Sequence, residues 1–386
     1  MRILFIVQGE DRGHLTQSIA LRQMLEEAGH EVVGVMGGKS PARQLPDFFL
    51  RQMKLPIYPF ESPNFLPTAK NKQVRLTRSL VYNLFRMPKY LRSMHYIQQV
   101  IRENEVDVIV NFYELLTGLT YLVYRPKPLL VCVAHQYLFL HPDFEFPQAN
   151  RFSLFSLRLF TRLTAIGASK RLALSFRKMR EVPRSGIVVV PPLLRRALFD
   201  LQPSAGNYLH GYLLNSGFSE EIQEWHRQHP TVAMHFFWDK KGVQEETKID
   251  ANLSFHRLDD QLFLRYMAGA KAYATTAGFE SVCEAMYLGK PILMVPTHIE
   301  QTCNAFDAQR SGCCAVSDRF DLDALCTLSE QAFDPAVFRH WVKQANWLIL
   351  REFREDLLHT DLAYSWWDGL SMAFTNRMVR LLPHIG

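Results

Sequence analysis

The sequence predicts an α/β protein of two domains, each a parallel sheet with helices between its strands. Three observations predict it: a length of 386 residues, a strand–helix–strand opening, and a second series of apolar strand-like runs beyond Pro191-Pro192. A chain of this length exceeds one ordinary core and suits two.

Residues 3–7, Ile-Leu-Phe-Ile-Val, are a continuous apolar run, as a strand covered on both faces requires. Residues 9–13 form a polar turn. From 16 to 28, Ile19, Ala20 and Leu25 fall at helical spacing, and Gly29 supplies a stop. Residues 31–35 are the next strand, which makes the opening Rossmann-like. Further buried strands are expected at 106–110, 129–134 and 187–190. Pro191-Pro192 breaks any regular element and marks the interdomain linker. Beyond it, strands are expected at 208–214, 231–237, 253–255, 272–275 and 291–295, with mostly helical, aromatic-rich chain from 333 to 382. The domain boundaries read 1–190, 193–360, and a C-terminal helix at 361–386 that packs back on the first domain.

Nearly half the residues are apolar and 21% are charged, which excludes a disordered chain. The apolar opening is too short for a signal peptide, no run reaches the length of a membrane span, and six cysteines lack metal-ligand or paired spacing. These features point to a cytoplasmic protein with reduced thiols. The net charge of +6 is uneven: residues 1–200 carry 28 Lys/Arg against 15 Asp/Glu, about +13, and the remainder is about −7. No recognition motif for nucleic acid accompanies the basic half, so nucleic acid is not an expected partner.

Two basic stretches stand out. Over 70–102, Arg75, Arg78, Arg86, Lys89 and Arg92 share one arc of a helical wheel opposite Leu76, Leu80, Leu84, Met87, Leu91 and Met94, with Pro88 expected to kink the helix. Over 151–184, Phe152, Phe155, Phe160 and Leu163 are interleaved with basic residues. Either these are solvated helix faces, or they attach the protein to an anionic membrane face, where each Lys or Arg contributes about 1 kcal/mol.

The chemistry concentrates between Thr275 and Ala305. A strand ends at Thr275, Thr276-Ala277-Gly278 turns, and a helix opens at Phe279. Such a turn offers free backbone N–H groups and the positive end of a helix to an anion, ideally a diphosphate, with hydroxyls from Thr276 and Ser281. Glu284 lies more than a turn into this helix, one sugar's length away, where a carboxylate can accept both ribose hydroxyls. After a proline-ended strand at 291–296 come Glu300 and Gln301, then Asn304. A carboxylate beside a carboxamide at the end of a strand is suited to neighbouring sugar hydroxyls.

In order and spacing these thirty residues resemble the donor-binding signature of the GT-B-fold glycosyltransferases, the group that includes UDP-glycosyltransferases and the lipid-linked GlcNAc transferase of peptidoglycan synthesis. The resemblance implies two Rossmann-like domains facing across a cleft. It implies a diphosphate at Gly278-Phe279, ribose on Glu284, and the donor sugar on Glu300-Gln301 with Asn304. The sequence departs from plant members at Thr276 (commonly His), Glu280 (commonly Asn) and Glu300 (commonly Asp). His256-Arg257 resembles the segment that touches the base, with uracil the expected base.

Gly13-His14 resembles the Gly-His pair that opens the first helix of the family, so His14 is the candidate general base on an acceptor hydroxyl, an imidazole titrating near working pH. Glu114 is the alternative base, or the group that orients His14. Asn111 and Glu114 follow one expected strand and His135-Gln136 another, so all three loops converge at one sheet end, on the acceptor side. Asn215 and Ser216 face them from the second domain. The implied reaction is an inverting transfer from a nucleotide sugar, with a UDP-sugar the donor expected from the family's pattern, the diphosphate held by a helix end, no metal expected to be essential, and no cofactor beyond this co-substrate. Asp321-Leu-Asp323 has a DxD spelling but reads as a helix cap.

A nicotinamide dehydrogenase is disfavoured because the first turn lacks G-x-G-x-x-G. A nucleotide-sugar epimerase of the same fold and a non-catalytic nucleotide-sugar-binding protein remain open. A hydroxyl of a lipid or other hydrophobic acceptor, at the inner face of the membrane, is expected from the basic, aromatic-rich first half.

Overall fold

The computed structural model describes residues 1–9, 12–40, 45–63, 83, 85–182, 185–214, 216–238, 244–331 and 333–354. Among them are two seven-stranded sheets. The first runs β3(Ile57–Glu61)-β2(Glu31–Lys39)-β1(Arg2–Gln8)-β4(Val108–Phe112)-β5(Leu129–Ala134)-β6(Lys170–Leu174)-β7(Ile187–Val190), all parallel. The second runs β10(Glu246–Lys248)-β11(Leu253–Arg257)-β9(Ala233–Trp238)-β8(Tyr208–Leu213)-β12(Ala272–Thr275)-β13(Ile292–Met294)-β14(Cys314–Val316), parallel except for β10. In each sheet the order reverses beside the first strand, so the strand ends there open a crevice, and the two crevices face one another.

The apolar runs become central strands: Ile3, Leu4, Phe5, Ile6 and Val7 have no exposed surface. Of the four strands missing from the sequence reading, β3, β6, β10 and β14, the first two have identifiable causes. β3 contains Pro59, which cannot donate to a ladder, and it lies at the sheet edge, where one side of the strand needs no partner. β6 opens with Lys170-Arg171. The Lys170 ammonium is buried and donates to the Glu352 carboxylate at 2.7 Å, so a cation sits inside the fold because it is paired.

That pair also moves a boundary. The chain returns to the first domain well before residue 361: the Trp341 indole donates to the Ser175 carbonyl (2.9 Å), and helix Ala345–Leu350 packs on β7 and on helix Arg12–Glu27. Residues 361–386, expected to form the returning helix, lie outside the described residues. So does the part of the first basic stretch between 70 and 82. Within what is described, Pro88 does not kink a helix but occupies the first turn of helix Met87–Glu103, where its missing N–H has no partner to lose.

The second sheet carries a pH-sensitive core. His210 on β8 is fully buried against Phe263 (4.8 Å between ring centroids) and Tyr273 (5.2 Å). Burial pushes its imidazole down to about 3. The unfolded chain therefore binds a proton near pH 6.5 that the folded chain refuses until about pH 3, and stability falls as pH drops through that window. Lowering the pH from 6.5 to 4.5 is expected to cost roughly 2–3 kcal/mol through this residue. Denaturant unfolding at a series of pH values checks it, since His210→Phe removes that part of the slope.

Candidate functional site

His14 lies in the first turn of helix Arg12–Glu27, directly after β1, and is buried. Its Nδ1 is 3.2 Å from Gln17 Oε1 and its Nε2 is 3.4 Å from Gln136 Nε2. The ring packs on Tyr113 (5.6 Å) and lies nearly parallel to His135 (6.5 Å, 15°). Tyr113 adopts φ 60°, a left-handed conformation costly for an aromatic residue, and its ring lies beside His14. Gly13 allows a close approach: a Cβ there would lie 2.2 Å from Glu280 Oε2 of the other domain.

Asn111 and Glu114 lie at the expected strand end but serve the backbone. Glu114 is the N-cap of helix Leu115–Tyr124, where Oε1 accepts from Leu116 N (3.0 Å) and from the Ser62 hydroxyl (2.6 Å). The Asn111 carboxamide accepts from Glu114 N and donates to the Thr164 carbonyl. Gln17 contacts His14 through its carboxamide oxygen. His135 and Gln136 open the 3₁₀ turn that follows β5 and reach across the cleft.

On the other side β12 ends at Thr275, Thr276 is buried, and Ala277 takes the left-handed position (φ 63°) that lets Gly278 become the N-cap of helix Phe279–Tyr287. Among the described residues, adjacent ones aside, only Ser281 Oγ, at 3.8 Å, comes within 4 Å of where a Gly278 side chain would point, so the backbone there is open to an anion. Ser281 Oγ donates to the Gly278 carbonyl at 3.3 Å. The Phe279 ring is buried and stacks on His135 (4.6 Å, 6°) and beside Phe176 (4.7 Å), joining the two domains through one apolar column. The Glu284 carboxylate is held on both oxygens by Arg195 of the linker, Nε at 2.6 Å and Nη2 at 2.7 Å.

Glu300 and Gln301 open helix Ile299–Gln309 and divide their work. Glu300 Oε1 faces the first domain and accepts from His135 Nε2 and Gln136 Nε2, both at 3.1 Å. Burial pushes its carboxyl up, but the hydrogen bond and charge of His135, with His298 and His14 nearby, outweigh it and hold the carboxyl down at about 2. Gln301 instead folds back on Thr297, its Oε1 accepting from the backbone N (2.9 Å) and the hydroxyl (2.8 Å). Asn304 is buried, with its amide 3.4 Å from the Ala277 carbonyl, tying this helix to the phosphate-type turn.

The remaining residues sit apart. His256 is buried in β11, its Nε2 3.1 Å from His235 Nδ1 and its ring stacked on Phe237 (4.9 Å), while Arg257 is exposed beside Glu245. Ser216 begins a 3₁₀ turn after β8, and Asn215 lies outside the described residues. Asp321 caps helix Leu322–Ser329 by accepting from Ala324 N (3.0 Å), and Asp323 accepts from the Trp225 indole (3.0 Å).

The cleft is thus shut by its own polar groups. Arg12 meets Asp260 (2.9 Å), Arg177 meets Asp307 (2.7 Å), Gln17 meets Glu280, and His135 with Gln136 meets Glu300. Sequence reasoning missed Gln17, Tyr113, Phe176 and Arg195. Only Gln17 carried a signal, since it stands three residues after His14 on the same helical face.

The profile of glycosyl transferase family 1 matches residues 1–329. A search of curated proteins found no match. Among solved structures, the chain is similar to the kitacinnamycin glycotransferase, with a TM-score of 0.61, 16% identity, and 92% of this chain and 99% of the other covered. It is similar to UGT71G1 of Medicago truncatula complexed with UDP-glucose (0.59, 13%, 92% and 98%) and to MurG of Acinetobacter baumannii (0.52, 14%, 91% and 98%). The fold of these proteins is the one described here, two parallel sheets facing across a cleft, and with the family match over most of its length the chain belongs to glycosyl transferase family 1, as a glycosyltransferase of GT-B fold.

Proposed function

We propose that the protein transfers a hexosyl group from a UDP-sugar to a hydroxyl of a lipid or other hydrophobic acceptor, inverting the anomeric centre without a metal. The observation that carries this reading is the meeting of three groups at one point: Gln136 Nε2 lies 3.4 Å from His14 Nε2 and 3.1 Å from Glu300 Oε1. A base and a sugar-gripping carboxylate therefore face one another across the width of a single small group.

In this mechanism His14 Nε2 takes the acceptor's hydroxyl proton as the oxygen attacks the anomeric carbon from the face opposite the diphosphate. The bond from that carbon to the diphosphate oxygen breaks, UDP departs, and one in-line displacement inverts the centre. The charge that develops on the leaving diphosphate is met by the N-terminus of helix Phe279–Tyr287 and by Thr276, while the Ser281 hydroxyl, expected from the sequence to join them, is given to the Gly278 carbonyl. Glu300, ionised throughout the working range, and Asn304 hold the sugar, and Glu284 holds the ribose. The complex of UGT71G1 with UDP-glucose supports the choice of uracil, and the exposed Arg257 is the residue of the His256-Arg257 segment assigned to the base.

Thermal shifts against UDP, GDP, TDP and CDP, followed by UDP-glucose, test the donor. UDP is expected to stabilise most, by about 2.7 kcal/mol at a hundredfold excess over its Kd. Stabilisation by none of the four sinks the reading.

The acceptor side is assigned to an anionic bilayer at the cytoplasmic face. Helices Met87–Glu103, Leu115–Tyr124 and Arg151–Thr164 pack side by side and expose Phe85, Met87, Leu91, Val123, Phe152 and Phe155 among basic side chains. Among the described residues no helix is long and apolar enough to cross a membrane, so the surface would rest on the bilayer. Sedimentation with phosphatidylglycerol vesicles is expected to carry the protein down, and Phe152→Glu with Phe155→Glu to release it. Binding that does not depend on anionic lipid removes this part of the reading.

A further inference from the structure

We propose that Gln17 sets the tautomer of His14, and that it does so through Glu280 of the opposite domain, so that the base is assembled only when the cleft shuts. The inference rests on the reading of His14 as the base.

A carboxamide has one accepting and one donating end, and a neighbour that can only accept fixes which end faces it. Glu280 is such a neighbour. The Gln17 Nε2 group donates to Glu280 Oε1, which turns Gln17 Oε1 to the other side, 3.2 Å from His14 Nδ1. An oxygen facing Nδ1 requires that Nδ1 carry the proton, and the lone pair of the neutral ring then lies on Nε2. The other end of the ring agrees. His14 Nε2 faces Gln136 Nε2, a group with two hydrogens, one directed to Glu300 and the second available to the ring lone pair. Both carboxamides therefore specify the same tautomer, with Nε2 unprotonated and turned into the cleft toward the acceptor.

The geometry of the helix start makes this relay possible. His14 and Gln17 are three residues apart on one face of their helix, and Gln17 is completely buried, which restricts its rotamers. Gly13 leaves the space that the Glu280 carboxylate occupies. Glu114, a further acid near this end of the sheet, is engaged by Ser62 and by the backbone of its own helix. With the domains apart, Glu280 leaves with its helix, and the Gln17 amide loses the partner that orients it. Its NH₂ end can then turn to His14 and stabilise the opposite tautomer, which presents an N–H to an acceptor hydroxyl instead of a lone pair. Gln17 is in this account a positioning residue, and Glu280 couples it to closure.

The test is spectroscopic and needs no substrate. The full chain is labelled with ¹⁵N only in histidine, and long-range ¹H–¹⁵N spectra are recorded, His14 being assigned by its loss in His14→Asn. The wild type is expected to show His14 protonated on Nδ1 and bare on Nε2. Glu280→Ala, which removes the acceptor of the Gln17 amide, is expected to shift the population toward Nε2–H, and Gln17→Leu to do the same. An Nε2–H tautomer in the wild type overturns the proposal, and this measurement does not depend on any variant folding. An unchanged His14 pattern in Glu280→Ala overturns the link across the cleft. If those spectra fail while His14→Ala still abolishes turnover, the relay falls and the base reading stands. If His14→Ala keeps full turnover, the base reading itself falls.

Discussion

Replacing His14 by alanine is expected to lower turnover by about 10²–10⁴-fold, the contribution of a positioned general base, while UDP affinity stays within about a factor of two. The separation follows from geometry. His14 belongs to the first domain, and the groups assigned to ribose, diphosphate and sugar are Glu284, the turn ahead of helix Phe279–Tyr287, and Glu300, all in the second. The variant therefore removes proton abstraction but leaves the donor's own contacts in place. Calorimetric titration with UDP alongside steady-state turnover checks both halves. A variant with undiminished turnover would make the cleft a binding site in which His14 only fills space against Tyr113. A variant that loses UDP binding as well would show that His14 acts by holding the domains together. An epimerase is distinguished by its product, since it releases a sugar isomer with no acceptor present.

Which parts of this site could be read from the sequence depended on whether a residue acts through its local backbone or through a distant one. The turn at Thr276–Gly278 and the helix behind it are local, and the pattern of small residues between a buried strand and a helix specifies them. The same holds for His14, placed by the helix that begins two residues earlier. Glu284 was legible as an acid on the correct helix, but its partner Arg195 lies 89 residues away in the linker, and no periodicity relates the two. Glu300 and Gln301 looked like a matched pair of sugar ligands, yet adjacent residues on a helix point about 100° apart. One reaches the opposite domain while the other closes on Thr297. Glu114 shows what a local reading leaves out: an acid that follows a strand and precedes a helix is placed where caps are made, and its carboxylate accepts from the backbone of the helix it opens. In the fold itself, β3 was hidden by a proline that its edge position tolerates, and β6 by a lysine whose partner arrives from residue 352.

The largest effect on stability is expected from Arg195→Met. Arg195 and Glu284 form a paired fork with 16% and 3% of their side chains exposed, and removing the cation leaves a carboxylate in a space from which water is excluded. Breaking such a pair from one side costs about 3–5 kcal/mol, which for a domain of this size lowers Tm by on the order of 10 °C. The two partners are not equivalent. Glu284→Gln leaves Arg195 near Asp260, whose carbonyl accepts at 3.4 Å and whose carboxylate lies at 3.6 Å, so the cation keeps part of its compensation and the loss is smaller. Adding Glu284→Gln to Arg195→Met is expected to recover more than half of the stability, because the uncompensated charge is then gone. Denaturant unfolding of the wild type, both single variants and the double variant measures the coupling. Nothing in the fork prevents ribose binding: each Glu284 oxygen accepts one guanidinium N–H and keeps a second lone pair for a hydroxyl, so Arg195 aims the carboxylate without consuming it. In the proposed donor reading the linker thereby fixes the carboxylate assigned to ribose, and Arg195→Met should weaken UDP stabilisation beyond what its lower baseline explains. Wild-type stability in Arg195→Met, or a double variant no better than the single, would show that the fork is solvated and that the linker merely passes beside the donor site.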